Sequence, residues 1–149
     1  MKICLVCSAG GHFFELFSLN PLWKEYSHFW VTFSKPDTQF MLRGERAYWA
    51  FSPTNRNLKN LARNFYLAAK IIPREKPRVI ISTGAGVAIP FLYLGRLLGA
   101  RTVYIESLTR ITDLSLTGRL VYPIVHDFFV QWPELAGRYP RARYRGQVV

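Results

Sequence analysis

The stretch Lys2 to Ser8 (KICLVCS), followed by Ala9-Gly10-Gly11, decides the fold class, because it is a short apolar run that ends in a glycine turn. The next segment, Phe13 to Trp23, carries apolar residues at helical spacing. A strand, a glycine turn and a helix in this order form the first unit of an α/β fold with parallel strands.

The same alternation continues along the rest of the chain. Strand patterns occur at 28–34, 46–51, 77–83, 101–106, 126–132 and 143–149, and helical patterns at 37–42, 55–72 and 87–98. We expect the long helix to end at Pro73 and to bury one apolar stripe, made of Leu58, Leu61, Phe65, Ala69 and Ile72. The sequence therefore predicts a single Rossmann-like domain over residues 1–149, with an open parallel sheet and helices on both faces.

Composition narrows the partners of this domain. Half of the 149 residues are hydrophobic, enough for one core, and the formal net charge of +11 favours an anionic partner, whether nucleic acid, a phosphate-bearing substrate or acidic lipid. Cys4 and Cys7 stand three apart in a strand and point to opposite faces, so they are not expected to share a metal. We expect no metal, no cofactor and no disulfide framework.

Segments that could meet a membrane are short. The longest apolar stretch, 86–95, falls below the ~20 residues that span a bilayer, and the chain begins at its first strand without a signal-sequence pattern. The expectation is a reducing, cytosolic location, with any membrane contact made at the surface.

Three segments follow predicted strands at the edge where open parallel sheets bind ligands. They are Ser8 to His12, Ser82 to Gly86, and Glu106-Ser107. Glycines there permit close backbone approach, and a following helix offers free N–H groups to a phosphate or a sugar. The alternative is that the glycines only form tight turns, since neither segment matches a dinucleotide fingerprint or a P-loop.

Two residues at this edge are candidates for acid–base chemistry. His12 begins a helix, where the macrodipole favours a neutral imidazole that can accept a proton; the alternative is a helix-capping histidine. Glu106 ends an apolar strand and is expected either to pair with a cation such as Arg110 or to face a ligand cleft. We favour the cleft.

The long helix carries a basic side that has two interpretations. It is formed by Arg56, Lys59, Arg63 and Lys70 and is either a solvated face or a seat for an anionic membrane. The membrane interpretation includes Phe91 and Tyr93, which with Leu92 are expected to be exposed.

Several stretches resemble a known family. They are Ser8 to Glu15 (SAGGHFFE), Tyr48 to Asn60, Ser82 to Pro90 (STGAGVAIP), Tyr104 to Glu106, Leu116 to Pro123 (LTGRLVYP) and Val130 to Trp132. The chain resembles the acceptor-side subunit of the two-subunit UDP-N-acetylglucosamine transferase of lipid-linked oligosaccharide synthesis, and is closer still to its bacterial counterparts in exopolysaccharide assembly. Similar glycine segments occur in the single-chain transferase that glycosylates the peptidoglycan lipid precursor.

This resemblance implies the N-terminal half of a GT-B glycosyltransferase. It implies that His12 and the Gly10-Gly11 turn line the acceptor's diphosphate, and that Glu106 lies near the reaction centre. The residues expected to bind the acceptor are Ser8, Gly10, Gly11, Thr83, Gly84, Gly86 and Arg110.

The resemblance also implies the partners of the chain. A separate donor-binding subunit would hold a UDP-sugar at the shared interface, and the acceptor would be linked to polyprenyl diphosphate. The complex would lie peripherally on the cytoplasmic face of the membrane. One departure is that eukaryotic relatives carry an N-terminal membrane anchor before the first strand.

Two alternatives belong to other classes of protein. The first is a non-catalytic membrane recruiter of the donor-binding subunit, with purely structural glycine turns. The second is a nucleic-acid-binding domain, suggested by charge and by Trp30, Trp49 and Tyr66 among basic residues. The second lacks a recognisable reading motif, so we expect no nucleic-acid partner.

Overall fold

The computed structural model describes residues 1–148, which form one parallel sheet of seven strands in the order β3-β2-β1-β4-β5-β6-β7. The strands are β1 (Lys2–Cys7), β2 (Ser27–Thr32), β3 (Ala47–Trp49), β4 (Val79–Gly84), β5 (Arg101–Ile105), β6 (Asp127–Val130) and β7 (Ala142–Tyr144). The chain winds outward to one side from β1 and then to the other side from β4. Ligands are therefore expected beyond the carboxyl ends of β1 and β4.

Helices cover both faces of this sheet. They are α1 (Gly11–Phe17), α2 (Asn20–Trp23), α3 (Pro36–Met41), α4 (Leu58–Glu75), α5 (Ala88–Leu97), α6 (Leu116–Val121) and α7 (Pro133–Arg138). One buried cluster includes Cys4 and residues of α4 and α5, and the other includes Cys7 and residues of α1. The predicted Rossmann-like fold is confirmed, and the two cysteines do lie on opposite faces.

Helix α4 differs from its predicted bounds. It begins after Asn57, whose side chain accepts a hydrogen bond from the Asn60 N–H, and it continues to Glu75 with Pro73 inside. The prediction that it ends at Pro73 was wrong, because a proline in the last turn removes a single backbone donor. The helix stops at Lys76, which adopts the left-handed conformation.

The buried face of α4 agrees with the predicted apolar stripe only at Ile72, which is 3% exposed. Asn60 and Asn64 are buried with Ala68 and Ile71, whereas Leu58 is 81% exposed. The Asn64 amide bonds both the N–H and the carbonyl of Phe51, and Asn60 donates to the Pro53 carbonyl. The asparagines face inward because the irregular segment after β3 needs partners for its backbone polar groups.

Helix α5 contradicts the expected exposure of its aromatic residues. Phe91 and Leu92 are completely buried against the sheet, so Phe91 is not part of any membrane-facing surface. Tyr93 is half-buried, and its hydroxyl donates to the Leu120 carbonyl. Since α5 packs against both the sheet and α4, its apolar residues belong to the core.

Candidate functional site

A pocket of about 420 Å³ opens at the carboxyl edge of the sheet, next to the segments that follow β1, β4 and β5. The beginnings of α4 and α6 form its far side. Its lining residues are His12, Thr54, Asn55, Arg56, Asn57, Leu58, Leu61, Ala85, Gly86, Ile89, Tyr104, Ser107, Thr109, Arg110, Ser115, Leu116, Thr117 and Leu120. The pocket therefore occupies the position that the strand order predicts for a ligand site.

His12 is held in one orientation by Thr83. Its Nδ1 lies 2.8 Å from the Thr83 carbonyl oxygen, and the Thr83 hydroxyl donates to the His12 carbonyl over 2.6 Å. Because a carbonyl oxygen can only accept, Nδ1 carries the proton and Nε2 of the neutral ring keeps its lone pair. His12 lines the pocket, and this tautomer is the one in which Nε2 can accept a hydrogen bond.

Gly84 makes room for this imidazole. A Cβ at position 84 would lie 2.9 Å from ring atoms of His12, and Gly84 has a φ of +115° that side chains disfavour. Glycine was predicted here to let a ligand approach the backbone; at Gly84, the last residue of β4, it is the His12 side chain that approaches. Gly84 itself is buried and does not line the pocket.

The charged side chains of the pocket are cationic. Arg56 and Arg110 line it, and neither makes an ion pair with any residue between 1 and 148. No aspartate or glutamate is among the lining residues of the described chain. Asn57 and Leu58, at the N-terminus of α4, also line the pocket, and a helix N-terminus carries a positive partial charge, so the pocket favours an anion.

Three leucines give the pocket an apolar mouth. Leu58, Leu116 and Leu120 are 81%, 61% and 43% exposed, and all three line the pocket. Leu58 directly follows the N-cap Asn57, and Leu116 directly follows the N-cap Ser115. Sequence reasoning missed these residues as a site; the available signal was an apolar residue placed immediately after a capping residue.

Glu106 contradicts both expectations that were stated for it. Its side chain is completely buried, and it accepts hydrogen bonds from the Ser107 N–H and the Ser115 N–H, each at 2.9 Å, and from the Ser115 hydroxyl at 3.0 Å. It neither pairs with Arg110 nor lines the pocket. The reason is local: the turn after β5 and the start of α6 already supply the donors that a buried carboxylate needs.

Tyr104 lies between Glu106 and the pocket. Burial, and then the negative charge of Glu106, raise the pKa of Tyr104 well above its ordinary value. Its hydroxyl therefore stays protonated and lies 3.4 Å from Oε1 of Glu106 as a donor. Tyr104 lines the pocket as a neutral group.

The glycine turn after β1 is separate from the pocket. The Gly10 N–H donates to the carboxylate of Asp37 over 3.0 Å, while Ser8 is buried with its N–H bonded to the Gly84 carbonyl. Gly11 is exposed beside this turn. Of the residues predicted to bind the acceptor, Gly86 and Arg110 line the pocket with His12; Ser8, Gly10, Gly11, Thr83 and Gly84 do not.

Among residues 1–148, no helix is both long and apolar enough to cross a membrane. Over the same residues, no group of three or more His, Cys, Asp or Glu side chains is placed to hold a metal ion.

Sequence comparison identifies the family. Residues 45–148 match the family described as "Oligosaccharide biosynthesis protein Alg14 like". The chain belongs to the Alg14 family. The predicted resemblance is confirmed at this level, and membership of its bacterial exopolysaccharide branch stays a prediction.

Curated relatives of this Alg14-family chain carry the name UDP-N-acetylglucosamine transferase subunit ALG14. The protein of Yarrowia lipolytica is 39% identical over 92 residues, which cover 58% of this chain and 43% of the relative. The protein of Eremothecium gossypii is 46% identical over 79 residues, which cover 49% of this chain and 35% of the relative. The human protein is 33% identical over 92 residues, which cover 58% of this chain and 43% of the relative. The chain thus spans less than half the length of these relatives.

Solved structures with the same fold are larger proteins. MurG of Acinetobacter baumannii superposes with a TM-score of 0.74 at 14% identity, over 89% of this chain and 42% of MurG. A UDP-N-acetylglucosamine 2-epimerase superposes with a TM-score of 0.79 at 8% identity, over 99% of this chain and 48% of the epimerase. At these identities the likeness concerns the fold, which is that of the Rossmann-like N-terminal half of a GT-B protein.

Proposed function

We propose that this chain is the acceptor-binding half of a two-chain glycosyltransferase. The enzyme transfers N-acetylglucosamine or a related hexose from a UDP-sugar to a polyprenyl-diphosphate-linked acceptor, in oligosaccharide or polysaccharide biosynthesis. One observation carries this proposal: a single pocket combines two unpaired arginines, a histidine with a free ring nitrogen and an apolar mouth. A lipid-linked diphosphate sugar has a part for each: a diphosphate for the arginines, a sugar hydroxyl for the histidine and a lipid for the apolar mouth.

The chemistry assigned to the pocket is proton removal from the acceptor. Arg56 and Arg110 would bind the diphosphate through charge-assisted hydrogen bonds, and Leu58 and Leu116 would contact the first part of the lipid. Nε2 of His12 would take the proton of the acceptor hydroxyl while that oxygen bonds to the anomeric carbon of the donor sugar. The bond from that carbon to the diphosphate of the UDP-sugar donor breaks, and UDP leaves.

A donor-binding partner completes the proposal. This chain superposes on 42% of the length of MurG and on 48% of the length of a UDP-N-acetylglucosamine 2-epimerase. It therefore corresponds to one half of such a fold. The relatives' names call them subunits of a UDP-N-acetylglucosamine transferase. We assign the UDP-sugar to the interface with a second Rossmann-like chain, as in two-domain transferases of this architecture.

Peripheral attachment to the cytoplasmic face of a membrane is part of the proposal. Lys59, Arg63, Tyr66 and Lys70 follow one another at helical spacing and are exposed on α4. The Lys70 ammonium lies 5.3 Å from the Tyr66 ring centroid, so cation and aromatic ring form one surface. A basic and aromatic surface of this kind suits an anionic lipid surface. The bacterial exopolysaccharide form is proposed from sequence resemblance alone.

The test is sugar transfer with purified chains. The protein is expressed with and without a candidate donor-binding partner, and transfer from UDP-N-acetylglucosamine to a lipid-diphosphate acceptor is measured. We expect activity only when both chains are present. Robust transfer by this chain alone would contradict the half-enzyme proposal, and two-chain activity that survives His12→Ala would favour the non-catalytic recruiter.

A further inference from the structure

We infer that Glu106 and Glu15 are positioning residues that hold the segment 107–115 in place as one wall of the pocket. This inference rests on the proposed function, since it assigns these carboxylates a part in acceptor binding. Neither touches the reacting atoms. Their role is to fix Arg110 and its neighbouring polar groups where they can bind the acceptor's diphosphate.

Glu106 fastens both ends of the segment. It accepts from the N–H of Ser107 at the beginning and from the N–H and hydroxyl of Ser115 at the end. Ser115 is also the N-cap of α6, where its hydroxyl accepts from the Gly118 N–H. The fit is close, because a Cβ at Gly118 would lie 2.1 Å from Oε2 of Glu106. The carboxylate thus locks the start of α6 to the end of β5.

Glu15 fastens the segment from the other face of the sheet. It is only 6% exposed, and its Oε1 accepts from the Leu108 N–H over 3.1 Å and from the Gln131 amide over 2.5 Å. The same Gln131 amide donates to the Glu106 carbonyl. Glu15 lies one helical turn after His12 in α1, so this network connects the histidine's helix with the arginine's loop.

The segment has no regular structure of its own, so these bonds hold it together with the bonds that Trp132 donates to the Leu108 carbonyl and Arg138 to the Thr112 carbonyl. Residues 107–115 contain neither helix nor strand, yet Ser107, Thr109, Arg110 and Ser115 line the pocket. The described contacts of Glu15 and Glu106 are all with neutral donors, so no cation offsets the burial of their charges. Burying a carboxylate without an ion pair costs free energy unless hydrogen bonds compensate for it. Hydrogen bonds to an ionised group are strong, so the groups that donate to these carboxylates are held in place.

Hydrogen exchange tests the inference without any enzyme assay. Purified wild-type chain is compared with Glu106→Gln, Glu15→Gln and Ser115→Ala, and with Glu134→Gln as an exposed control. We expect faster amide exchange in peptides covering 107–115 for the first three variants, with β1 and β4 unchanged, and no effect of the control. Unchanged exchange in 107–115 for folded variants would overturn the inference. Ser115→Ala keeps the test decisive if a glutamate variant does not fold.

Kinetics with the donor-binding partner then separate positioning from catalysis. For Glu106→Gln we expect the acceptor KM to rise by about 10- to 100-fold, with kcat within about twofold and the pH dependence of kcat unchanged. Ser115→Ala should act in the same direction, and the double variant should be no worse than Glu106→Gln. A fall in kcat of about 10²- to 10⁴-fold with loss of one limb of the pH profile would make Glu106 the base and overturn the inference.

Failure of the proposed function has a different signature. If the wild-type pair transfers no sugar, the transferase assignment fails while the exchange test still decides whether the two carboxylates hold the segment. If the pair is active and Glu106→Gln is indistinguishable from wild type in both exchange and acceptor KM, the transferase assignment stands and the positioning role fails.

Discussion

The carboxylates at the two edges of the sheet have different partners: cations at the amino edge, and neutral hydrogen-bond donors at the carboxyl edge. At the amino edge, Glu75 accepts from the Lys2 ammonium at 2.9 Å, from Nε of Arg46 at 2.7 Å and from the Tyr48 hydroxyl. Burial alone would raise its pKa, but the hydrogen bonds from Tyr48, Lys2 and Arg46 lower the pKa of Glu75 to about 2. This carboxylate stays ionised and ties β1, β3 and α4 together.

Asp127 repeats this arrangement at the amino edge. It pairs with Arg101 at 2.9 Å and also with Arg143, which connects β5, β6 and β7. Hydrogen bonds from Arg101 are the largest cause that lowers the pKa of Asp127. The cations nearest to these carboxylates are therefore neutralised by the fold.

At the carboxyl edge the same residue types are kept apart. Glu15 and Glu106 are satisfied by backbone, hydroxyl and amide donors, while Arg56 and Arg110 remain without an ion pair among residues 1–148. An arginine already bound to a carboxylate is a weaker anion ligand, since it must give up that partner. Carboxylate–cation pairs therefore connect strands at the amino edge, whereas the arginines that line the pocket at the carboxyl edge have no carboxylate partner among residues 1–148.

The largest expected effect is on catalysis at the carboxyl edge. His12→Ala in the two-chain enzyme should lower kcat by about 10²- to 10⁴-fold, because it removes the group that accepts the proton. The measurement is steady-state transfer to a lipid-diphosphate acceptor, with circular dichroism to check folding. His28→Ala is the matched control: His28 lies at the start of β2 and bonds Glu45, so transfer should stay within about twofold. Equal losses in both variants would contradict the role of His12.

The next effect is on stability at the amino edge. Glu75→Gln should lower the free energy of unfolding by about 2 to 4 kcal/mol, because it weakens three hydrogen bonds and leaves two cations without their carboxylate. The exposed Glu25→Gln is the control and should change it by less than about 0.5 kcal/mol. Urea denaturation of both variants makes the comparison, and a similar midpoint for the two would show that the network adds nothing.

The same carboxylate predicts a pH dependence. Its pKa is about 2 in the folded chain against an ordinary value of 4.5, so its stabilisation is complete above about pH 5 and is lost as the pH falls through 4.5 towards 2. Wild-type stability should therefore decline over this range more steeply than that of Glu75→Gln. Parallel declines would mean that Glu75 does not carry the acid sensitivity.

A smaller effect is expected on acceptor binding. Arg110→Ala should raise the acceptor KM by about 10- to 100-fold, since a charge-assisted hydrogen bond contributes about 1.5 to 3 kcal/mol. Arg74→Ala removes the same charge at the amino edge and should leave the KM unchanged. If both substitutions raise the KM equally, the acceptor responds to net charge and not to the pocket.

The smallest effect for each residue changed concerns the surface of α4. Replacing Lys59, Arg63 and Lys70 by glutamine should weaken binding to vesicles that contain anionic lipid by about fivefold per cation, from about 1 kcal/mol for each. The control is the triple replacement of Arg74, Lys76 and Arg78, which removes the same charge at the amino edge. Vesicle co-sedimentation at constant ionic strength gives the comparison, and equal losses would place the membrane contact elsewhere.

Several features of the site were predictable because they depend on neighbours in sequence. His12 follows a strand and a glycine turn, and its location at the ligand edge follows from that order. Gly86 lines the pocket for the same reason, whereas Arg110 lines it from the irregular segment after β5. The burial of Phe91 was not predictable from its local pattern, because helix α5 is apolar on most sides and only its packing decides which side faces the core.

The sequence by itself determined the seven strands, the helices that precede β5, the Rossmann-like fold and the sheet edge at which the pocket lies, because these follow from hydrophobic periodicity and turn residues that act over a few positions. It did not indicate the short helices α6 and α7. Only the tertiary structure decided which polar groups meet across the chain. Glu106 reaches Ser115 and Glu15 reaches Gln131, 116 positions away, so both carboxylates are satisfied inside the fold. The physical reason is that a buried charge takes the donors that folding brings within about 3 Å, and for Glu15 these lie 93 and 116 positions away in the sequence.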